Sequence, residues 1–345
     1  MNERQWDQLL QVIAGERVQP LPVGFIIDSP WLPAWAGTSI LDYYASERLW
    51  LEANLTAVRR FPTVWFLPGF WSEYGMCTEP SAFGSKCVWH ERDLPFADKI
   101  IETPAQMAAL QKPNVREDGL LPFMLRRLSR TRSAIESEGH AIRFAVARGP
   151  LNIASFLMGA TEFMMAIKES PRETHALLTT ITDFLCDWIR LQKEWFPTIE
   201  GIFLLDDLVG FLGKDDFAEF AFPYLKRSFG AIEDAKVRFF HNDAKGLVCA
   251  PHLAEIGINL FNFSFKHSLE EMRRLAGDRV TLLGNLPPRD VLASGTPEEV
   301  REGVRSMMEP LIDKRRVILS AGGGMPPNAP TANIEAFLEA AAALG

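Results

Sequence analysis

A histidine and an aspartate follow an apolar run in the second half of the chain. The run Val237–Phe240 has the composition of a strand, and it leads through His241 and Asn242 to Asp243. An imidazole and a carboxylate this close together, just past a strand, can turn toward the same pocket. Such a pair suits a divalent metal ion or acid–base catalysis. The alternative interpretation is a polar strand end whose aspartate caps the following helix.

The elements that must position this pair recur along the whole chain. Eight apolar runs have the length and residue types of strands, at 23–27, 63–67, 142–147, 201–205, 237–240, 259–263, 280–283 and 316–319. Most do not alternate between apolar and polar residues, which is typical of parallel strands buried on both faces. Nearly every run is followed by a helical pattern, so the sequence predicts an α/β chain folded as a (β/α)8 TIM barrel. A doubly wound open sheet is the alternative.

The predicted barrel is one domain over residues 1–345 with two additions. Apolar residues at helical spacing predict an amphipathic helix over 2–14, ahead of the first strand. A long segment, 70–140, follows the second strand and begins with many Trp, Tyr, Pro and Gly residues. So long an insertion in a compact domain is expected to form a lid or wall over a substrate.

A barrel places its active site at the carboxyl ends of its strands. Nine polar residues lie at those positions: Asp28, Arg148, Asp206, Asp207, His241, Asp243, Asn262, Asn285 and Ser320. Because they come from separate strands and would meet at one mouth, the functional interpretation of His241 and Asp243 is favoured. Arg148 could bind an anionic substrate group, or it could form an ion pair with Asp206 or Asp207.

Aromatic residues are frequent near the first two strand ends. Trp31, Phe70 and their aromatic neighbours could form a wall for a flat or weakly polar ligand. The alternative is that the barrel and its insertion simply bury these rings.

Composition excludes several classes of function. The net charge of −8, without a run of Lys or Arg, argues against nucleic-acid binding. The four cysteines contain no C-x-x-C pair, so neither a disulfide framework nor an all-cysteine zinc site is indicated. No signal pattern opens the chain and no apolar stretch approaches membrane-spanning length, so a cytoplasmic protein is expected.

Four stretches resemble motifs of the uroporphyrinogen decarboxylase superfamily, in that superfamily's order. Gly149–Phe156 resembles "GPxTLASY", Asp216–Arg227 resembles "DFxEFxxPYLKR", Gly284–Pro288 resembles "GNLDP", and Gly322–Asn333 resembles "GHGIxPxTPxxN". The resemblance covers about 145–345, and the first 140 residues match loosely. It implies a (β/α)8 barrel, a homodimer, and one of two chemistries. These are decarboxylation of acetate side chains on a tetrapyrrole, and zinc-dependent methyl transfer that involves corrinoid proteins.

The positions implied for decarboxylation are replaced in this sequence. The superfamily's decarboxylases carry arginines after the first strand, where this chain has 26–33 with no Arg and with the added acid Asp28. Four further positions differ as well: Leu67-Pro68-Gly69 replaces the catalytic Asp, Phe156 the Tyr, Asp207 the Ser and Gly323 the carboxy-terminal His. A polyanionic substrate would therefore meet repulsion where that family offers guanidinium groups.

The corrinoid-dependent methyltransferases of the superfamily bind zinc through His-x-Cys at the end of the fifth strand and a Cys in the closing loop. The matching residues here are His241-Asn242-Asp243 and Gly323, so the thiolates are missing. A set of His241 and Asp243, with Asp207 or Glu219, would instead be a nitrogen and oxygen metal site. Such a site could act as a Lewis acid on the leaving group of a methylated substrate.

The resemblance and the residues together favour a metal-assisted methyltransferase. It would move a methyl group from a small methylated compound, such as a methoxylated one, to a corrinoid protein. The expected catalytic residues are Asp207, His241 and Asp243, and the expected metal ligands are His241, Asp243 and Glu219, with zinc as the ion. The expected substrate-binding residues are Asp28, Trp31, Phe70, Arg148, Phe156, Asn262 and Asn285. The alternatives are a decarboxylase with an altered substrate and a barrel that binds a ligand without catalysis.

Overall fold

Eight short parallel strands carry the fold in the computed structural model, which describes residues 1–27 and 29–344. They are β1 (Gly24–Ile26), β2 (Trp65–Leu67), β3 (Phe144–Arg148), β4 (Gly201–Leu205), β5 (Val237–Asn242), β6 (Leu260–Phe263), β7 (Thr281–Leu286) and β8 (Val317–Ala321). Strands β3 to β8 form one continuous sheet in chain order, and β1 pairs with β2. The Leu319 N–H donates to the Pro22 carbonyl at 2.9 Å and the Met325 N–H donates to the Ile26 carbonyl at 2.9 Å, which joins β8 to β1. The predicted (β/α)8 barrel is confirmed.

Helices follow the strands and cover the barrel. The α-helices are Glu3–Ala14, Leu32–Trp35, Ile40–Ala45, Glu47–Arg60, Thr78–Ala82, Pro104–Ala109, Leu121–Ser137, Pro150–Met158, Ala160–Glu169, Pro171–Trp195, Lys214–Asp216, Phe222–Phe229, Leu253–Ile256, Leu269–Ala276, Pro297–Met308 and Thr331–Ala343. Short 3₁₀ turns lie at Gly75–Cys77, Asp207–Phe211 and Ala250–His252, and π-helical turns at Phe217–Ala221 and Pro288–Ala293.

The amino-terminal helix begins at a capping box and closes one end of the barrel. The Asn2 side chain accepts the Gln5 N–H, and the Gln5 side chain accepts the Asn2 N–H in return. Its apolar face buries Trp6, which meets the ring of Phe144 edge-to-face at 5.5 Å. Because Phe144 opens strand β3, this helix covers the amino ends of the strands. The opposite, carboxyl ends of the strands form the mouth of the barrel.

The ring of hydrogen-bonded strands is interrupted between β2 and β3, and we call this gap the seam. Among the described residues no ladder joins these two strands, so β3 has a free edge. The Gln192 side chain covers that edge, since it accepts the Val146 N–H at 2.9 Å and donates to the Val146 carbonyl at 3.0 Å. Farther along, the Glu79 carboxylate accepts the Arg148 N–H at 3.0 Å. Two side chains thus take the place of a neighbouring strand.

The segment 70–140 divides into two parts. Its first part contains an antiparallel pair of strands, Cys87–Val88 and Phe96–Ala97, whose surroundings reach the barrel mouth. Its second part ends in the helix Leu121–Ser137, whose buried face joins the helical layer. Whether the first part acts as a lid stays a prediction.

Among the described residues no single helix is long and apolar enough to cross a membrane. The helices Pro150–Met158 and Ala160–Glu169 pass that test of length and composition only as a pair, which is bent by 105°.

Candidate metal centre at the barrel mouth

One row of residues crosses the sheet at the level of His241. The parallel register aligns Arg148 with Leu205, Leu205 with His241, His241 with Asn262, and Asn262 with Leu283. Residues in one row of parallel strands point to the same face, and Leu205 and Leu283 both belong to the apolar cluster inside the barrel. The row therefore directs the imidazole of His241 and the amide of Asn262 into the barrel.

Asn262 fixes the protonation of the His241 ring. Its Nδ2 donates to the carbonyl oxygens of Leu283 at 2.8 Å and Ala321 at 3.1 Å, so the orientation of the amide is determined. The Asn262 Oδ1, which can only accept, lies 2.8 Å from Nδ1 of His241. The proton of a neutral ring therefore sits on Nδ1. The lone pair of Nε2 is left to face the mouth.

Two carboxylates lie on the Nε2 side of this ring. Asp207 Oδ1 is 3.7 Å from Nε2, and Asp243 Oδ2 is 4.0 Å from it. One ligand atom from each of the three residues lies within 4.8 Å of the others. The Asp243 N–H also donates to Asp207 Oδ1 at 3.1 Å, which holds the two strand ends together. The sequence expectation that these three residues converge agrees with this geometry.

The electrostatics of the cluster favour a cation. Burial is the main cause that raises the pKa of Asp243 above its usual value, and the neighbouring Asp207 carboxylate adds to the shift. Closely spaced carboxylates repel each other, and a bound divalent ion or a shared proton relieves that repulsion.

Gly323 leaves room for the Asp243 carboxylate. Its φ of 141° is a conformation that other residues rarely adopt, and a Cβ at this position would lie 3.1 Å from Asp243 Oδ2. The glycine therefore lets the closing loop pass directly beside the cluster.

Asp206 has a different function from its neighbour Asp207. It is fully buried, and its carboxylate accepts the N–H groups of Leu151 at 2.9 Å and Asn152 at 3.0 Å. These are free donors in the first turn of the helix Pro150–Met158. Burial raises the pKa of Asp206 well above its usual value. Asp206 thus fixes a helix against the strand end, and Asp207 points into the mouth.

A cavity of about 380 Å³ opens above the cluster. Its floor contains Asp207, His241 and Asp243, and its walls are mostly apolar. The wall residues are Ile26, Pro30, Met76, Leu94, Arg148, Asn152, Phe156, Leu205, Leu208, Pro288, Arg289, Gly323, Gly324, Met325, Pro326 and Pro327. The volume falls in the range of small-molecule sites.

The seven expected substrate-binding residues separate into groups. Phe156 and Arg148 line the cavity. Arg148 is held there, since its guanidinium lies 3.6 Å from the buried Glu73 carboxylate and 5.1 Å from the centre of the Trp71 ring. Of the two alternatives for Arg148, the ion pair with Asp206 or Asp207 is corrected: its partner is Glu73. Asp28 lies outside the described residues.

Trp31 and Phe70 are core residues, which corrects the expectation that they line the cavity. Trp31 is fully buried, stacks on Trp35 at 4.9 Å, and donates from Nε1 to a backbone carbonyl at 3.0 Å. Phe70 packs between the rings of Trp50 and His140. Large apolar rings gain most from complete burial, and here that gain outweighs exposure to the mouth.

The two asparagines contribute from behind the cavity wall. Asn262 acts through His241, as described above. The Asn285 side chain is buried and donates to the backbone carbonyl of His267. Neither amide lines the cavity, so their expected contact with substrate is corrected to a structural function.

Glu219 is absent from the cluster, contrary to its expected place among the ligands. It lies in the π-helical turn Phe217–Ala221, and its carboxylate is 3.2 Å from Nε2 of His175 on the helix Pro171–Trp195. Its side chain is 56% exposed on the outer helical layer. The other three residues meet because each lies at the end of a strand, whereas Glu219 lies on an outer helix.

Several cavity residues were not predicted from the sequence. Met76 and Leu94 come from the insertion, and Arg289 follows the two prolines after β7. Asn152 lies in the stretch that resembles "GPxTLASY", which is the one signal that could have identified it. Nothing in the local pattern around Arg289 indicated a place in the wall.

The three floor residues fit a divalent ion. One neutral imidazole nitrogen with a fixed lone pair and two carboxylates form a nitrogen and oxygen donor set suited to zinc and similar ions. The hydrogen bond from Nδ1 to Asn262 is the kind of outer contact that orients metal-binding histidines. Three protein ligands would leave a coordination position open to the cavity.

A barrel with an imidazole and two carboxylates gathered at the mouth belongs to the class of (β/α)8 enzymes. More specifically, the chain is a member of the uroporphyrinogen decarboxylase (URO-D) family, whose model matches residues 4–344.

Individual relatives are distant in sequence. Uroporphyrinogen decarboxylase from Dichelobacter nodosus is 25% identical over 97% of this chain and 96% of its own length. The enzyme of that name from Schizosaccharomyces pombe is 24% identical over 96% of each chain. Among solved structures, a methyltransferase from Methanosarcina mazei superposes with a TM-score of 0.80 at 20% identity and covers 98% of both chains. A B12-independent methionine synthase from Shewanella has a TM-score of 0.58 at 12% identity, covering 94% of this chain and 97% of its own. These likenesses support the barrel fold.

Proposed function

We propose that this protein is a metal-assisted methyltransferase that takes a methyl group from a small methylated compound and passes it to the reduced cobalt of a corrinoid protein. The observation that carries the proposal is the cluster of Asp207, His241 and Asp243, in which the Nε2 lone pair faces two carboxylates. The structural likeness to a methyltransferase supports the same branch of the family.

A divalent ion such as zinc, held by these three residues, would supply Lewis-acid polarisation of the heteroatom that carries the methyl group. Asn262 keeps the His241 ring in the tautomer that can bind the ion. The apolar wall around Phe156 and Leu208 keeps water away from the reacting carbon. In such a transfer the carbon–heteroatom bond would break with its electron pair left on the heteroatom, which would take a proton from solvent, and the methyl group would pass to the reduced corrinoid of the partner protein.

The departures from the family pattern agree with a substrate other than a tetrapyrrole. The cavity of about 380 Å³ is small for a tetrapyrrole that carries many carboxylates, and its floor holds two acids. Of the two cavity arginines, Arg148 is already paired with Glu73. A decarboxylase acting on a smaller acid remains the second candidate, because curated relatives of similar length have that name.

The proposal is tested by metal content and by methyl transfer. Purified protein dialysed against zinc is expected to retain about one ion per chain by mass spectrometry, and His241→Ala is expected to retain none. His175→Ala is the matched control, since His175 also pairs with a carboxylate but lies on an outer helix.

Methyl transfer is followed by the absorbance change of free cob(I)alamin as it becomes methylcobalamin, with a panel of methoxylated donors. If the purified protein contains no metal and a chelator does not change its reaction, the proposed metal site is contradicted. Carbon dioxide release without transfer would support the decarboxylase, and tight binding without turnover would support a ligand-binding barrel. The homodimer implied by the family resemblance stays a prediction.

A further inference from the structure

Among the described residues that line the cavity, one cation, Arg289, has no ion-pair partner. Arg289 lines the cavity from the π-helical turn Pro288–Ala293, directly after β7. Among the described residues its guanidinium has no ion pair and no side-chain hydrogen bond, and its electrostatic neighbour is Asp243. Asp290, the next residue, does not line the cavity. A guanidinium left free at a ligand site is suited to carboxylate or phosphate oxygens.

The other charged residues that the structure describes in the cavity have an ion-pair partner or would share the metal ion of the proposed function. Arg148 faces the buried carboxylate of Glu73, and it is also stacked on Trp71. In the proposed function, the carboxylates of Asp207 and Asp243 would together balance the charge of one divalent ion held with Nε2 of His241. Among the described cavity residues, the positive charge of Arg289 is then the one without a paired carboxylate.

We infer that the substrate of this site carries a single anionic group, a carboxylate in the simplest case, that is bound by Arg289 while the methylated heteroatom faces the Asp207–His241–Asp243 cluster. This inference rests on the proposed function and specifies its substrate class. Neutral donors would leave Arg289 unmatched, and donors with several carboxylates would meet the acids on the floor. Arg289 thus determines specificity through charge.

Binding without catalysis tests the inference. The probes are the ortho, meta and para isomers of methoxyphenylacetate, each compared with its neutral amide, and affinity is measured by ligand-observed NMR on zinc-loaded and metal-free protein. At least one carboxylate is expected to bind the wild-type protein about tenfold more tightly than its amide, as one charge-assisted hydrogen bond provides.

Arg289→Met is expected to abolish this preference. Arg279→Met is the matched control, because it removes the same charge from an exposed position just ahead of the opposite end of β7 and is expected to keep the preference. Arg289→Lys is expected to keep part of it, since the charge remains without the planar pair of donors.

Two results would overturn the inference: equal affinity of every acid and its amide for the wild-type protein, or an unchanged preference in Arg289→Met. The second result would mean that the carboxylate binds the metal ion itself. These outcomes are separable from a failure of the proposed function. A charge preference that depends on Arg289, without methyl transfer, would leave the anion-binding role of Arg289 intact and refute the methyltransferase. Methyl transfer from neutral donors at equal rates in wild type and Arg289→Met would support the methyltransferase and refute the role of Arg289.

Discussion

Replacing Asn262 with leucine removes the contact that holds the His241 ring and keeps the number and branching of the side-chain heavy atoms. The Asn262 side chain is fully buried, and it takes part in three hydrogen bonds, to His241, Leu283 and Ala321. At about 1 kcal/mol for each neutral hydrogen bond, the free energy of unfolding should fall by roughly 3 kcal/mol. Without the bond to Nδ1, the affinity for a divalent ion should fall about 10- to 100-fold, as for other outer contacts of metal sites.

Two measurements separate these effects. Urea unfolding of the metal-free protein gives the change in stability, and titration with Co²⁺, followed by visible absorbance, gives the change in affinity. Asn259→Leu is the matched control, since the Asn259 side chain accepts the Arg238 N–H at 2.8 Å and donates to the Lys236 carbonyl at 2.8 Å. It precedes the same strand at the far end, so stability should fall by about 2 kcal/mol while Co²⁺ affinity stays unchanged.

A folded Asn262→Leu variant that binds Co²⁺ as tightly as the wild-type protein would refute this role of Asn262. Asn262→Asp is a second variant that separates the change in stability from the change in affinity. Its carboxylate still accepts from Nδ1 of His241 but faces two carbonyl oxygens. Stability should therefore fall at least as much as with leucine, whereas Co²⁺ affinity should fall less.

Three further predictions concern other parts of the chain. Burial lowers the pKa of His140 from 6.5 to about 4. As the pH falls below 6.5 the unfolded chain therefore binds the proton before the folded chain does. The contribution of neutral His140 to the free energy of unfolding is complete above pH 6.5 and is lost as the pH falls toward 4. His140→Gln should remove roughly 2 kcal/mol of this loss, after allowance for partial exposure, measured by urea unfolding between pH 4 and 7. Cys87 should be the one thiol that iodoacetamide labels in the folded protein, because it is half-buried and a hydrogen bond with Cys77 lowers its pKa. Gly323→Ala should lower the free energy of unfolding by about 1–3 kcal/mol and weaken Co²⁺ binding, because of its backbone conformation and the approach to Asp243.

A single result would contradict each of these three predictions. His90→Gln, at an exposed histidine, is the control for the acid transition, and an equal effect of both variants would show that the burial of His140 has no special part. Labelling that persists in Cys87→Ser would place the reactive thiol elsewhere. A Gly323→Ala variant with unchanged Co²⁺ affinity would show that the closing loop does not constrain the Asp243 carboxylate.

The barrel and the centre of its mouth were predictable because both depend on simple repeating patterns. Apolar runs mark the strands, and parallel strands bring their ends to one side, so Asp207, His241 and Asp243 meet. The direction of a side chain within the mouth is a different matter. Trp31 and Phe70 follow strand ends as well, yet their rings are drawn into the core. Sequence position alone does not show whether an aromatic ring after a strand end packs into the core or faces the mouth.

The contacts that complete the site depend on details of register and helix geometry. The amide of Asn262 reaches His241 because the two are paired in register, which no local pattern encodes. Between strands β4 and β5 the chain forms a π-helical turn at Phe217–Ala221, and the next helix ends at Phe229. Pro223 has no N–H to continue the α-helical ladder through this segment. Glu219 accordingly lies on the outside, paired with His175.

The seam between β2 and β3 separates two kinds of structure in one barrel. The metal-binding candidates extend from β4 and β5, and Asn262 from β6, all within the continuous sheet. The insertion that supplies Met76 and Leu94 meets the barrel at the seam, where Gln192 and Glu79 replace a strand partner. We therefore expect mutations that reshape the insertion to leave the ladders beneath the cluster intact. A family built in this way can change its substrates over evolutionary time while the strand ends that do the chemistry keep their alignment.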